Sequence, residues 1–159
     1  MSVTFDFSQL LKESIPIDGN EHIARRIESV SMIGMRLSKD NLEFVKKLTS
    51  EGMNEPERKS HVMRLSETAG CDVFEFSTCN RVLFVGFDCS LSHLKNSVLT
   101  NSGLDYAPFD SFKGMEAWRH LVKICSGLDS FIIGELQVMS QFRDAIAWHK
   151  ESKLLSVHN

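Results

Sequence analysis

The sequence lacks the features of a membrane-bound or exported protein. Its 159 residues contain no apolar run close to the roughly 18–20 residues that a bilayer span requires. The N-terminus has no early basic patch before a long apolar block, and acidic residues at positions 6, 13, 18 and 21 argue against a transit peptide. We therefore expect a cytoplasmic protein with no membrane partner, and its 42% of hydrophobic residues can form one soluble core.

Cysteine is scarce and the charge is mildly acidic. The four cysteines, at positions 71, 79, 89 and 125, form no C-x-x-C pair and no Cys/His cluster with zinc-ligand spacing, so we expect no metal site. Cys71, Cys89 and Cys125 are expected to be small buried thiols. The net charge of −3 comes without a basic stripe, so a nucleic-acid partner would be held by a few well-placed residues or by groups outside this chain.

The hydrophobic patterns predict an α+β fold. Strands and helices alternate as β-α-α-β-β-α-(β)-α-α, which indicates a ferredoxin-like, antiparallel-rich sheet packed by helices and followed by a long C-terminal helix. The predicted strands are 30–36, 72–76 and 82–87, with room for a short edge strand in the loop 104–114. The predicted helices are 39–51 capped by Ser38, 55–69, 90–100, 115–128 and 133–155. This divides the chain into an N-terminal extension (1–28), an α+β domain (29–132) and a long helix (133–159).

Cys79 is the strongest candidate for a catalytic residue. It lies in the polar turn Ser77-Thr78-Cys79-Asn80-Arg81 between two apolar strands, which would leave the thiol exposed at the end of the sheet. Arg81 could favour the thiolate or bind a carboxylate with its planar fork of donors. Thr78 and Asn80 add a hydroxyl and an amide. A plain hairpin turn with a packed cysteine explains the same residues equally well.

Two further features lie on the C-terminal side of this turn. On helix 115–128 an apolar stripe is predicted at Trp118, Leu121, Val122, Cys125 and Leu128, which leaves His120 near the charged face as a surface residue or a proton carrier. Ser130 then precedes a predicted helix, whose N-terminus could bind an anion, although glycines here would also suit a purely structural connection.

Together these segments resemble the glutamyl-tRNA reductase family. Residues 77–81 match its S-T-C-N-R signature, and the segments 117–121, 126–130 and 134–138 with Gln141 resemble its R-H-L…S-G-L-D-S…G-E-x-Q-I…Q block. The two blocks agree in order and separation, and the resemblance covers about residues 30–155. It implies that Cys79 forms a thioester with the glutamyl group of glutamyl-tRNA, which NADPH then reduces to glutamate-1-semialdehyde for tetrapyrrole synthesis.

The resemblance also implies roles for other residues. Cys79 and His120 would be catalytic, and the substrate-binding residues would be Thr78, Arg81, Ser130, Glu135 and Gln137. The implied partners are glutamyl-tRNA and glutamate-1-semialdehyde aminomutase, and the full-length enzyme would be a homodimer.

The sequence departs from the family in four places. Residues 36–40 replace an H-K-T-A-P-like stretch, Leu136 replaces a frequent proline, and residues 1–28 have no counterpart. No G-x-G-x-x-G follows a strand, so NADPH would be bound by a domain absent from this chain, and we expect the catalytic N-terminal domain alone. Two alternatives stay open: a non-catalytic paralogue that binds tRNA or protein, and an unrelated cysteine hydrolase.

Overall fold

A four-stranded antiparallel sheet forms the centre of the molecule. The computed structural model describes residues 27–126 and 136–155, without the side chains of 125, 126 and 136–139. The strands are β1 (Val30–Arg36), β2 (Asp72–Thr78), β3 (Arg81–Phe87) and β4 (Asp110–Lys113), in the spatial order β2-β3-β1-β4. This order, with every neighbour antiparallel, is the ferredoxin-like arrangement predicted from the sequence.

Five described helices cover both faces of the sheet. They are α1 (Leu42–Leu48), α2 (Glu55–Ala69), α3 (Leu91–Ser102), α4 (Met115–Ser126) and α5 (Leu136–Glu151). Helices α1, α2 and α3 bury one face around Ile33, Leu65, Phe84 and Val98, whereas α4 and α5 bury the other around Met32, Phe74, Leu121 and Phe142. Successive strand residues alternate between these two cores, which explains the nearly continuous apolar runs of β1 and β3. Within the described ranges, no helix is long and apolar enough to cross a membrane.

Local capping residues determine most helix ends. The Asn54 side chain accepts a 2.9 Å hydrogen bond from the Glu57 N–H at the start of α2, and Ser90 accepts one of 3.1 Å from the His93 N–H at the start of α3. Both helices end at a glycine in the left-handed region, Gly70 and Gly103. These boundaries agree with the sequence predictions.

The predicted start of the first helix is wrong. α1 begins at Leu42, not near residue 39, and Ser38 does not cap it. Instead Asn41 accepts a 2.8 Å hydrogen bond from the Ser38 N–H and donates one of 2.7 Å to the carbonyl of Arg36. The Asn41 amide therefore stabilises a turn directly after β1, and this turn delays the helix.

The last helix is also shorter than predicted at its C-terminal end. α5 ends at Glu151 rather than near Leu155. Lys153 adopts a left-handed φ of 59°, and the Leu154 N–H returns to the carbonyl of His149 at 2.9 Å. This is a Schellman-type helix end, with Leu154 buried beyond it. The predicted start at 133 lies outside the described residues, as does the extension 1–28 apart from its last two residues.

Candidate active site at the β2–β3 turn

The turn that carries Cys79 is anchored from both sides. Cys79 and Asn80 form a two-residue connection between β2 and β3, whose register pairs Thr78 with Arg81. The Asn80 N–H donates to the Thr78 hydroxyl at 3.2 Å, and the Asn80 carbonyl accepts from the Leu37 N–H at 2.7 Å. The Cys79 side chain is exposed. The thiol is thus held towards solvent on a turn with a defined position.

A row of polar side chains lies at the same end of the sheet. The register pairs Arg81 with Thr78 on one side and with Arg36 on the other, so the three residues lie next to each other on β2, β3 and β1. Directly paired residues project from the same face of a sheet. Thr78 and Arg81 are buried, whereas Arg36 is exposed. The row therefore places two guanidinium groups beside the exposed thiol's turn.

A cavity of about 240 Å³ lies between this end of the sheet and helix α4. Its polar lining comes from Arg36, Arg81, Asp110 and His120, and its apolar lining includes Met32, Leu83, Phe112 and Ile124. Pockets for drug-sized ligands measure about 300–1,000 Å³. The cavity is therefore of the size for a small charged group.

Gly34 keeps the floor of this cavity open. It lies opposite Leu83 on β3 and Asp110 on β4. A β-carbon at this position would lie 2.7 Å from the carbonyl oxygen of Val82 and 3.2 Å from Cδ1 of Leu83. A glycine is needed because the β3 backbone approaches so closely, and its missing side chain also leaves space for a ligand.

His120 faces the cavity, not the charged side of its helix. Its ring stacks on that of Phe112, with 4.1 Å between centroids and 18° between planes. The buried residues of α4 are Ala117, Leu121 and Ile124, whereas Val122 is 39% exposed. The apolar stripe predicted from the sequence is therefore wrong, since the buried face is shifted by about one residue. The small side chain of Ala117 lets the helix approach the sheet, and this rotation brings His120 to the edge of the core.

The structure brings together some of the predicted site residues. Arg81 and His120 line one cavity, and Thr78 is paired with Arg81. Cys79 lies on the adjoining turn and is not part of the cavity wall. Ser130 and Glu135 lie outside the described residues, and for Gln137 only its backbone, in the first turn of α5, is described.

Sequence reasoning missed Gly34, Arg36, Asp110 and Phe112 as cavity residues. Arg36 and Asp110 lie 74 residues apart in the chain and meet only because β1 pairs with β4. The signal available was a charged residue at the end of each strand, which the sequence alone does not distinguish from an ordinary exposed charge.

A second buried polar cluster lies on β2 and serves the fold. The Glu75 carboxylate, 0% exposed, accepts hydrogen bonds from Ser50 (2.9 Å), Ser77 (2.5 Å) and Arg58 Nε (3.2 Å). The Glu75 N–H donates to Nε2 of His149 at 3.0 Å, and Nδ1 of His149 is 2.7 Å from the carbonyl of Ala145. Nε2 therefore accepts while Nδ1 donates, which requires the neutral imidazole.

Burial is the main reason why the pKa of His149 falls to about 4, and the nearby Arg58 cation also lowers it. The bond to Ala145 acts in the opposite direction. His149 thus joins α5 to the outer edge of β2 as a neutral residue, and sequence analysis did not single it out.

Comparison with known proteins places these features in context. The family model described as "Glutamyl-tRNAGlu reductase, N-terminal domain" matches residues 33–158. The glutamyl-tRNA reductase of Flavobacterium psychrophilum is 30% identical over 132 residues, which cover 80% of this chain and 30% of that protein. The glutamyl-tRNA reductase of Corynebacterium urealyticum is 25% identical over 140 residues, covering 83% and 27%.

The solved structure of glutamyl-tRNA reductase from Methanopyrus kandleri has the same fold. It superimposes with a TM-score of 0.62 at 21% identity, over 82% of this chain and 30% of the other. The chain thus spans less than a third of the length of these relatives.

Proposed function

The chain belongs to the family of glutamyl-tRNA reductase N-terminal domains, and from this premise we propose that Cys79 accepts the glutamyl group of glutamyl-tRNA as a thioester. One observation carries the proposal. The buried Arg81, two residues after the exposed thiol, lines a small cavity together with His120. A nucleophile on an anchored turn beside a cationic cavity is the arrangement that acyl transfer from an acidic aminoacyl ester needs.

The proposed step is an ester-to-thioester exchange. The Cys79 thiolate attacks the carbonyl carbon of the ester, a carbon–sulfur bond forms, and the carbon–oxygen bond to the terminal ribose of the tRNA breaks. The thiol proton is released on ionisation, and the departing ribose oxygen takes up one proton, so protons balance. His120 is the group at the cavity that can carry this proton or orient the ester, because an imidazole both donates and accepts.

The charges of the cavity give the substrate an orientation. Arg81 presents a planar fork that can bind the side-chain carboxylate of a glutamyl group with two parallel hydrogen bonds, and Arg36 adds a second cation. Asp110, on the opposite strand of the lining, would attract the α-ammonium group. Thr78 extends the row towards the turn and assists in binding. A neutral or basic aminoacyl group would offer Arg81 no side-chain carboxylate to bind.

The described residues do not fit NADPH. A dinucleotide is commonly held by a glycine-rich turn between a strand and a helix, and the full sequence contains no G-x-G-x-x-G. The cavity of about 240 Å³ is also too small for a dinucleotide. We therefore assign acyl transfer, and no reduction step, to the residues of this chain.

The test is transfer of a labelled glutamyl group to the protein. The chain is incubated with [14C]glutamyl-tRNA, and acid-precipitated protein is examined for label that neutral hydroxylamine removes, as expected for a thioester. Wild-type protein should become labelled, and Cys79→Ser should not give hydroxylamine-labile label. Cys89→Ser, a thiol at the other end of the same strands, is the matched control and should behave as wild type.

Two outcomes would contradict the proposal. If Cys79→Ser is labelled as well as wild type, the nucleophile is another residue. If the protein binds glutamyl-tRNA in a filter assay but no variant and no wild-type sample is ever acylated, the non-catalytic binding paralogue becomes the better explanation.

A further inference from the structure

Two of the remaining cysteines lie together at the end of the sheet opposite the Cys79 turn. Cys71 directly precedes β2, and Cys89 follows β3 by two residues. The register pairs Asp72 with Phe87, so strand pairing brings the flanking residues close to each other. The two thiols are half-buried, and each lies close enough to the other to shift its pKa.

Gly86 makes room for both sulfur atoms. A β-carbon on Gly86 would lie 2.5 Å from Sγ of Cys89 and 3.5 Å from Sγ of Cys71. The two sulfurs therefore occupy the space that a side chain at position 86 would fill. Any other residue in this place would displace the Cys89 thiol.

The backbone on each side of the pair is fixed by hydrogen bonds. The Cys71 N–H donates to the carbonyl of Ser66 at 3.3 Å, at the left-handed end of α2. The Cys89 carbonyl accepts from the hydroxyl of Ser31 at 2.8 Å, and Asp88 before it has a φ of 62°. The thiols are thus held close by the strands and not by chance contact of mobile loops.

The interaction between the two thiols shifts their pKa values in opposite directions. The Cys71 thiol lowers the pKa of Cys89, against the opposing effect of burial. The pKa of Cys71 is raised by the Cys89 thiol and by burial. The first proton therefore leaves Cys89, and the resulting thiolate faces a protonated partner.

We propose that Cys71 and Cys89 form a redox-active dithiol site that exchanges with small-molecule disulfides, such as glutathione disulfide, and closes into an intramolecular disulfide. The Cys89 thiolate attacks one sulfur of the oxidant and releases one thiol, which leaves a mixed disulfide. Cys71 loses its proton and attacks Sγ of Cys89, which releases the second thiol. Two electrons pass from the protein to the oxidant, which is reduced to two thiols.

The experiment uses the full chain with Cys79→Ser, which removes the exposed thiol that would react first. After incubation with glutathione disulfide and alkylation of the remaining thiols, tryptic peptides are analysed by mass spectrometry. The expected product links the peptide 65–81, which contains Cys71, to the peptide 82–95, which contains Cys89. Two thiols per chain should be lost, and dithiothreitol should restore both.

Matched variants separate a dithiol from two independent thiols. Adding Cys71→Ser should trap glutathione on Cys89 as a stable mixed disulfide, since no second thiol resolves it. The same oxidation in denaturant should scramble the links to include Cys125, which shows that the native fold selects the pair. Native protein in which Cys71 and Cys89 stay reduced, or each carry glutathione without a link between them, would overturn the proposal. The assay needs no tRNA, so its failure is distinct from failure of acyl transfer.

Discussion

Cysteine thiols lie at both ends of the β2–β3 pair, but in different surroundings. At one end Cys79 is exposed on a polar turn next to a buried arginine and a cavity. At the other end Cys71 and Cys89 are half-buried, packed against the core, and both sulfurs lie next to Gly86. About 23 Å of strand separates them, because β2 has seven residues at roughly 3.3 Å each.

The role of each cysteine follows from the groups that surround its sulfur. A thiol beside cations and a small cavity is suited to attack a bound electrophile, whereas a thiol next to another thiol is suited to exchange electrons. The strands provide the rigid separation, so each end can be altered without the other.

Replacing the nucleophile is the strongest way to test this contrast. Cys79→Ser should lower the rate of glutamyl transfer by about 1,000-fold or more, since a serine hydroxyl is far less ionised than a thiol. Cys89→Ser should change that rate by less than about twofold, because it lies at the opposite end. Single-turnover acylation with labelled glutamyl-tRNA measures both. Equal losses in the two variants would mean that the ends are not independent.

Acidification tests the contribution of His149, which joins α5 to β2, to the stability of the fold. His149 has a pKa near 4 in the folded protein and about 6.5 when unfolded, so its contribution is complete above pH 6.5. As the pH falls from 6.5 to 4, the unfolded state takes up a proton first, and the free energy of unfolding should decrease by up to about 3 kcal/mol. Urea unfolding at several pH values measures the slope.

The control for this prediction is His149→Gln, whose amide oxygen can still accept from the Glu75 N–H but does not titrate. The slope of its unfolding free energy against pH should be flatter over the same range. The remaining slope should come from His61, whose pKa is also lowered by burial. An unchanged slope would show that His149 is not the titrating group.

Arg81→Lys tests the part played by the guanidinium group at the substrate end. Lysine keeps the charge but loses the planar fork, so the efficiency of glutamyl transfer should fall by about 10- to 100-fold, the loss of a charge-assisted hydrogen bond. Arg36→Lys is the matched control, since Arg36 is exposed at the rim, and should cost less than about threefold. Oxidation of Cys71 and Cys89 should be unaffected. A larger loss of glutamyl transfer in Arg36→Lys would mean that the substrate carboxylate binds to Arg36 on β1 instead.

Gly86→Ala probes the thiol-pair end and should lower the free energy of unfolding only slightly. The added methyl meets the side-chain sulfur of Cys89, which can rotate away, so the cost in unfolding free energy should be about 1 kcal/mol. Formation of the Cys71–Cys89 disulfide should nevertheless slow by about tenfold, as followed by thiol titration. Glutamyl transfer should stay at the wild-type rate. Oxidation at an unchanged rate would show that the space above Gly86 is not what brings the thiols together.

The sequence predicts elements whose determinants are local. Asn54 with Gly70, and Ser90 with Gly103, mark helix ends because capping depends on a few neighbouring residues. The apolar runs and the order of elements are sufficient to predict a ferredoxin-like, antiparallel-rich sheet. The predicted start of α1 is wrong because the Asn41 side chain donates to the carbonyl of Arg36 at the end of β1 and accepts from the Ser38 N–H, which the sequence pattern does not show.

The cavity could be predicted only in part. Arg81 and His120 were found through their motifs, whereas Gly34 and Asp110 depend on the pairing of β1 with β3 and β4. The rotation of α4 depends on how closely Ala117 packs on the sheet, which periodicity does not resolve. Likewise Cys71 and Cys89 are predicted to be small buried thiols but are half-buried, and the sequence does not show that Gly86 lies next to both sulfurs.

The contact between His149 and Glu75 also bears on self-assembly. β2 is an edge strand of seven residues. An uncovered edge strand of this length has unpaired N–H and C=O groups that can pair with a strand of another chain. α5 lies along this strand, and the His149 imidazole occupies the N–H of Glu75. At the other border β4 has only four residues. The helix therefore hinders the addition of a strand from another chain to this edge of the sheet. A chain shortened before residue 136 should form oligomers through β2.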